Sequence, residues 1–368
     1  MQDRGRAIGI TCGLLLLAVI ACGAAVALLA GPQLLDTARD VWGRWQLAGR
    51  QDDLDAVRSS DTTPVLFTIE SGETPYTVAL KLAAIELIDD PELLFDYVRY
   101  EGFDRQIGAG TYALHRALSI RQIVARLIDP AARTVAVNML DGWRLEELIA
   151  ALDASPRLAF SGQDFAVLVQ AGAPVDPGFA ALVGLPEGAS LEGFLLPGTY
   201  QVPPDAGPRY LLDAMLNAFT GFALNDGLAA AAAGDGLTLY QVATLASIVR
   251  REAVRDDEMP LIAGVYLNRL AINMKLDADP TVQYGLGNSR GGWWPRITQA
   301  DYTGVQSPYN TYLVTGYPPG PIASAGRAAL LAVVNPEPST YYFFRADCRS
   351  DGYHDFAETY EEHLANGC

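Results

Sequence analysis

The sequence predicts an α+β protein with an N-terminal transmembrane helix, a small α+β module and a larger mixed α+β region. Three observations predict it. A charge-free apolar run extends from Ile8 to Ala30, and short strand-like patterns such as Val65–Ile69 and Thr134–Met139 alternate with helical periodicities. Two capping boxes, Ser119-x-x-Gln122 and Thr238-x-x-Gln241, mark helix starts. With 368 residues, 50% hydrophobic and 19% charged, the chain folds and has room for two domains.

The apolar run reads IGITCGLLLLAVIACGAAVALLA. At helical rise it reaches roughly 34 Å, enough to cross a hydrocarbon core of about 30 Å. Val19-Ile20-Ala21-Cys22 resembles a lipoprotein-processing site, but the apolar residues continue past Cys22, which favours an uncleaved anchor over lipidation. Flanking charge does not set orientation, because Arg4 and Arg6 precede the run while Arg39, Arg44 and Arg50 follow it.

Residues 31–62 read as a juxtamembrane helix and stalk ending in the polar RSSDTT. Val65–Ile69 is a strand, Ser71–Thr74 a turn, Tyr76–Ile88 a helix, and Pro91–Tyr100 a second helix. Gly108–Tyr112 introduces a strand, the Ser119 box opens a helix to about Leu127, and Thr134–Met139 alternates as a strand. Beyond Gly142-Trp143, helical patterns run near Leu145–Leu152, Asp164–Ala171 and Arg209–Asn217, and the tract Ala229–Ala233 reads as helix. Trp293–Pro321 has few helix formers and many Gly, Pro, Asn, Thr and Tyr, and so long an irregular stretch points to function.

Composition excludes several classes. The formal charge of −17 leaves no basic footprint for nucleic acid. Four cysteines and three histidines (His115, His354, His363), with no CxxC or HExxH, exclude a zinc site, and no metal is expected.

The chemistry-bearing pattern lies on the helix opened by Thr238. Val242, Leu245, Ala246 and Val249 form one apolar stripe, and Glu252 falls on it. Burial and the negative end of the helix dipole both disfavour a charged carboxylate there, which raises its proton affinity toward that of a general acid. An Arg–Glu pair with Arg250 or Arg251 is the plainer alternative. Asn268 falls among core residues of the next helix, either capping local backbone or hydrogen-bonding in a site. Ser307-Pro308-Tyr309-Asn310-Thr311-Tyr312 offers aromatic faces, an amide and hydroxyls of the kind that hold sugar rings, or else packs on its own domain.

ASIVRREAVRDDEMPLIAGVYLNRLAINMKLDADPTVQYG (Ala246–Gly285) and SPYNTYLVTGYPPGPIA (Ser307–Ala323) closely resemble the endolytic murein transglycosylases of the YceG-like family. LEGFLLPGTY (Leu191–Tyr200) and DGYHDFAETYEEH (Asp351–His363) fit the same pattern. The resemblance implies a cytoplasmic tail at 1–6, a membrane helix at 7–30, a stalk at 31–62, a LysM-like module at 63–132 and a catalytic domain at 133–368. It implies a lyase held on the outer face of the cytoplasmic membrane, cutting peptidoglycan strands between MurNAc and GlcNAc and leaving 1,6-anhydro ends, with peptidoglycan synthases as possible partners. Glu252 takes the place of the family's catalytic glutamate, acting as acid and then as base toward the C6 hydroxyl. Asn268, Gln283, Tyr284, Tyr309, Asn310, Thr311 and Glu192 are the expected sugar-positioning residues, and no metal or organic cofactor is expected.

Three positions depart from the family pattern. Arg250 stands where the motif has an earlier Glu, Gly198 where it has Asp, and Leu140-Asp141-Gly142-Trp143 replaces "PEGW". Two other readings remain: a muramidase-type hydrolase using Asp256, Asp257 or Glu192 as second carboxylate, and a non-catalytic murein-binding scaffold. An oxidising compartment would let Cys348 and Cys368 pair.

Overall fold

The structure is a computed structural model describing residues 43–45, 47–349 and 351–367. The apolar run Ile8–Ala30 lies outside the described residues, and among those described no helix is long and apolar enough to cross a membrane. The chain divides into two compact units after Thr134, each α+β with small two-stranded sheets.

The first unit follows a short helix α1 (Gln51–Asp55) with β1 (Val65–Ile69), α2 (Pro75–Ala84), α3 (Pro91–Glu101), β2 (Gly110–Leu114) and α4 (Ile120–Ile128). β1 and β2 pair antiparallel from Val65↔Leu114 to Ile69↔Gly110. Strand alternation turns Phe67 and Ile69 inward, where Val78, Leu82, Leu94, Val98, Ile123 and Leu127 close a core. Thr74 and Asp90 cap the prolines that open α2 and α3, and Ser119 and Gln122 form the expected box on α4. α2 stops four residues before the expected Ile88. Glu86 adopts φ 59°, and the amides of Glu86 and Leu87 donate to Ala83 O and Leu82 O, a Schellman-type stop. No glycine announces that stop, so the helical periodicity ran on past it.

In the second unit β3 (Val135–Met139) pairs antiparallel with β4 (Gly198–Val202). Between them run α5 (Leu145–Asp153), α6 (Gly162–Val169) and α7 (Pro177–Val183), followed by α8 (Pro208–Asn225) and α9 (Leu228–Gly234). α10 (Leu239–Glu252) opens with the Thr238–Gln241 capping box and packs against α11 (Met259–Ala271) and α14 (Arg327–Val334). α12 (Asp279–Leu286) and α13 (Gln299–Gly304) punctuate the loops between α11 and α14. A hairpin of β5 (Phe343–Ala346) and β6 (His354–Ala357), then α15 (Tyr360–Ala365), complete the unit.

α10 carries more than the expected apolar stripe, because every residue from Val242 to Val249 is buried. The two hydroxyls of that buried stretch are satisfied. Thr244 donates to Tyr240 O at 2.7 Å, while Ser247 donates to Thr244 O at 2.7 Å and accepts from Ile322 N at 3.0 Å. Enclosing the middle of the helix in this way fixes where its last turn emerges. Cys348, between β5 and β6, is disulfide-bonded; Cys368, its expected partner, lies outside the described residues.

Candidate active site

Glu252 is the last residue of α10, where Ala253 turns the chain to an extended conformation. The two preceding arginines lead away from it. Arg250 Nε lies 3.0 Å from Asp141 Oδ2, so two of the departures from the family pattern meet as an ion pair. The Arg251 guanidinium lies 3.8 Å from the centre of the Trp294 ring. The third departure, Gly198, is exposed on β4 opposite Met139.

Glu252 faces a cavity of about 500 Å³. From α11, Tyr266 donates its hydroxyl to Glu252 Oε1 at 2.8 Å, and Arg269, one turn on, lies beside it. Asp279 opens α12 and accepts from Tyr312 Oη at 2.6 Å, and the Tyr312 ring stacks on Tyr302 at 4.3 Å. Phe344, Arg345 and His354 from the hairpin and His363 from α15 form the remaining wall.

Burial pushes the Glu252 carboxyl up to about 7. Asp279 adds to the rise, while the Tyr266 hydrogen bond and the charges of Arg269 and Arg251 restrain it. At neutral pH the group is therefore divided between acid and carboxylate, the condition for moving a proton in either direction. Tyr266→Phe removes the strongest restraint. The Glu252 titration, followed by carboxyl ¹³C NMR, is expected to move above 7; a midpoint that stayed put or fell would show that the hydroxyl does not stabilise the carboxylate.

Of the residues selected from sequence, Glu252 lines this cavity, joined by Tyr312 at the end of the Ser307–Tyr312 segment. Asn268 donates to Ser339 O and Tyr341 O, the backbone-bracing alternative. Gln283 Nε2 donates to Pro295 O. Asn310, fully buried, donates to Tyr302 O and Val305 O, and Thr311 Oγ1 accepts from Ala278 N and contacts Thr281 Oγ1. Gln283, Asn310 and Thr311 brace the long irregular segment that carries Tyr302 and Tyr312 to the cavity, while Asn268 braces the chain leading into β5. Tyr284 and Tyr309 form a second cluster, their rings 4.7 Å apart, with the Arg144 guanidinium 4.1 Å from the Tyr284 centroid.

Glu192 is buried near that cluster. Its Oε2 accepts from Leu145 N at 3.1 Å at the start of α5, and its Oε1 has no hydrogen-bond partner among the described residues. Burial pushes its carboxyl up to about 8. Because the folded value exceeds the unfolded one, the protonated group favours the fold at low pH, and that contribution is lost as pH rises through 8. Glu192→Gln keeps an acceptor for Leu145 N. It is expected to gain on the order of 3–5 kcal/mol over wild type at pH 9 and almost nothing at pH 4. Urea unfolding at the two pH values checks this; equal differences at both would refute it.

Among the other carboxylates considered as a second acid, Asp256 lies 3.7 Å from Arg250 and Asp257 accepts from Tyr353 Oη at 3.0 Å. The carboxylates on the cavity wall are Asp277 and Asp279, and sequence reasoning missed both. It also missed Tyr266, Arg269, Tyr302, Arg345, His354 and His363.

The sequence pattern of the YceG-like family matches residues 67–367. The chain belongs to the YceG-like family. The endolytic murein transglycosylase of Bacillus subtilis (strain 168) is 27% identical over 322 residues, covering 84% of this chain and 86% of that protein. The endolytic murein transglycosylase of Streptococcus pneumoniae serotype 2 (strain D39) is 25% identical over 338 residues, covering 86% of this chain and 60% of that protein. A crystal structure of a YceG-like protein from Listeria monocytogenes superposes with a TM-score of 0.53 at 26% identity, covering 82% of this chain and 98% of that one. In YceG-like terms, the block from Ala246 to Gly285 supplies Glu252, Tyr266, Arg269 and Asp279 to one cavity.

Proposed function

We propose that this YceG-like chain is an endolytic lytic transglycosylase that cuts peptidoglycan strands between MurNAc and GlcNAc and so ends their growth. The observation that carries the reading is Glu252, at the end of a helix buried from Val242 to Val249, opening on a polar cavity with a carboxyl pushed up to about 7. Protonated Glu252 gives its proton to the glycosidic oxygen as the C1–O4 bond breaks. The muramyl C6 hydroxyl of the same sugar then closes on C1, its intramolecular position replacing the water of a hydrolase. The resulting carboxylate is a base available for that second step.

The same reading assigns 63–132 to a LysM-like module and 133–368 to the catalytic domain. It assigns Ile8–Ala30 to a single membrane anchor, with the catalytic unit outside the cytoplasm beside the peptidoglycan synthases. The test is digestion of purified murein by the detergent-solubilised chain, with fragments read by mass. Internal fragments ending in 1,6-anhydroMurNAc support lysis, and reducing ends only would identify a hydrolase. That second reading draws on Asp279, the carboxylate that shares the cavity with Glu252. Binding without any cleavage would leave the scaffold reading.

A further inference from the structure

Phe343 and Arg345 alternate with Phe344 along β5, so the two share the face of the hairpin that meets α15. The Phe343 ring lies 5.8 Å from that of Tyr360 and 5.6 Å from that of His363, and Arg345 Nη1 donates to His363 O at 3.4 Å. Arg345 and His363 both line the cavity that holds Glu252.

Most charged groups of that cavity are committed to one another or to backbone. Arg269 donates to three carbonyls and lies 3.6 Å from Asp277. Asp279 accepts from Tyr312, Glu252 accepts from Tyr266, and the His354 ring meets Glu258. Arg345 is different. Its register partner across the hairpin is Asp355, yet among the described residues no carboxylate pairs with it. Its Nε is enclosed without a hydrogen-bond partner, and Nη2 has none among the described residues but is not enclosed. A neutral donor would serve for the single bond to His363 O. The guanidinium adds an outer edge, Nη1 and Nη2, whose parallel N–H groups have the geometry that grips a carboxylate. Burial and the charges of Arg345 and Arg269 lower the His363 imidazole, which leaves the positive charge of this wall on the guanidiniums.

The rest of the molecule makes such a cation selective. With a formal charge of −17, the chain offers an acidic polymer little attraction over its surface at large, so acceptance depends on a placed cation. The two sugars of a peptidoglycan strand differ in one substituent, the lactyl ether on muramyl O3. That ether ends in a carboxylate when bare, and in a peptide with carboxylates of its own when substituted.

We infer that Arg345 is a specificity-determining residue of this cavity, forming a subsite for the carboxylate that the O3 substituent of a muramyl ring carries. The inference rests on the peptidoglycan reading above and adds what the cavity selects, acidic strands over uncharged glycans. No bond forms or breaks at this subsite. Arg345 holds the strand, and Glu252 moves the proton.

The experiment measures binding to the detergent-solubilised full chain carrying Glu252→Gln, so that strands stay intact. Three probes of equal length are compared: murein strands with their peptides, strands stripped by an amidase to the bare lactyl group, and N-acetylglucosamine oligomers, which have no carboxylate. Adding Arg345→Met is expected to weaken binding of a carboxylate-bearing strand roughly 10- to 100-fold and to change the uncharged oligomer by less than about twofold. A selective loss on either acidic strand supports the subsite. The strand that loses more identifies the carboxylate, the lactyl group's if stripped and a peptide's if substituted. Arg345→Lys keeps the charge without the fork and should recover part of the loss. Equal weakening of all three probes would mean that Arg345 only holds α15 in place, and unchanged binding of both acidic strands would equally overturn the subsite. Should Arg345→Met not fold, the Glu252→Gln chain is tested on acidic strands whose carboxylates have been converted to primary amides. Binding about tenfold weaker is expected, and binding as tight as before overturns the proposal. The lytic reading is judged apart from this: a wild type that makes no anhydro ends refutes lysis and leaves the binding result standing. Anhydro ends together with binding that ignores Arg345 would keep lysis and remove the subsite.

Discussion

Glu252→Gln is expected to lower the release of 1,6-anhydro ends by about 10⁴-fold or more, the upper end of what a general acid contributes. The substitution keeps the side chain's shape and an oxygen for the Tyr266 hydroxyl, which donates to Glu252 at 2.8 Å, but removes the transferable proton. Stability should move the other way. Burial pushes Glu252 up to about 7 in the folded chain, so the protonated group favours folding at low pH and that contribution fades as pH rises through 7. The Gln variant should therefore match wild type near pH 4 and exceed it above pH 8. Murein digestion at matched thermal midpoint, with unfolding followed at both pH values, checks the two halves together. Near-normal release of anhydro ends would place the catalytic acid elsewhere in the cavity, with Asp279 the next carboxylate to examine.

Arg269→Met is the second large effect expected. Arg269 is 7% exposed, and its guanidinium donates to Tyr342 O at 2.5 Å, Leu276 O at 2.6 Å and Lys275 O at 3.2 Å. It thereby ties α11 to the loop leading to Asp279 and to the start of the hairpin that carries His354. Methionine fills most of the volume but strands three carbonyls, at about 1–3 kcal/mol for each one left without a donor. We expect a loss on the order of 3–5 kcal/mol and a roughly 10²-fold fall in cleavage as the two walls separate. Arg269→Lys keeps the charge without the planar fork and should recover only part of either. Denaturant midpoints and murein digestion measure both; a Met variant within about 1 kcal/mol of wild type would show that solvent satisfies those carbonyls.

Local signals were well written in the sequence. The strand Val65–Ile69 and the boxes at Ser119 and Thr238 lie where their residue types demand, because caps and alternation act over a few positions. Glu252 was legible because helical spacing places it on the buried face of its own helix. Its partners were not. Tyr302 and His354 reach the cavity from 50 and 102 positions further along the chain, and nothing local distinguishes them from tyrosines and histidines that pack elsewhere. The polar residues that sequence did single out, Asn268, Gln283, Asn310 and Thr311, share their chemistry with sugar-binding groups but pair with backbone groups instead. An irregular segment of this length has many peptide groups to pair, and side-chain amides and hydroxyls do it.

The wall formed by Phe344, Arg345, His354 and His363 has a consequence for the order of events in the cell. His363 follows Glu252 by 111 positions. At about 5–20 residues per second, a ribosome needs roughly 5–20 s to add them. Through that interval the nascent chain already holds the glutamate but not the hairpin and helix that complete the cavity around it. The cavity around the acid is therefore closed last, when the tail of the same polypeptide has folded back over Glu252.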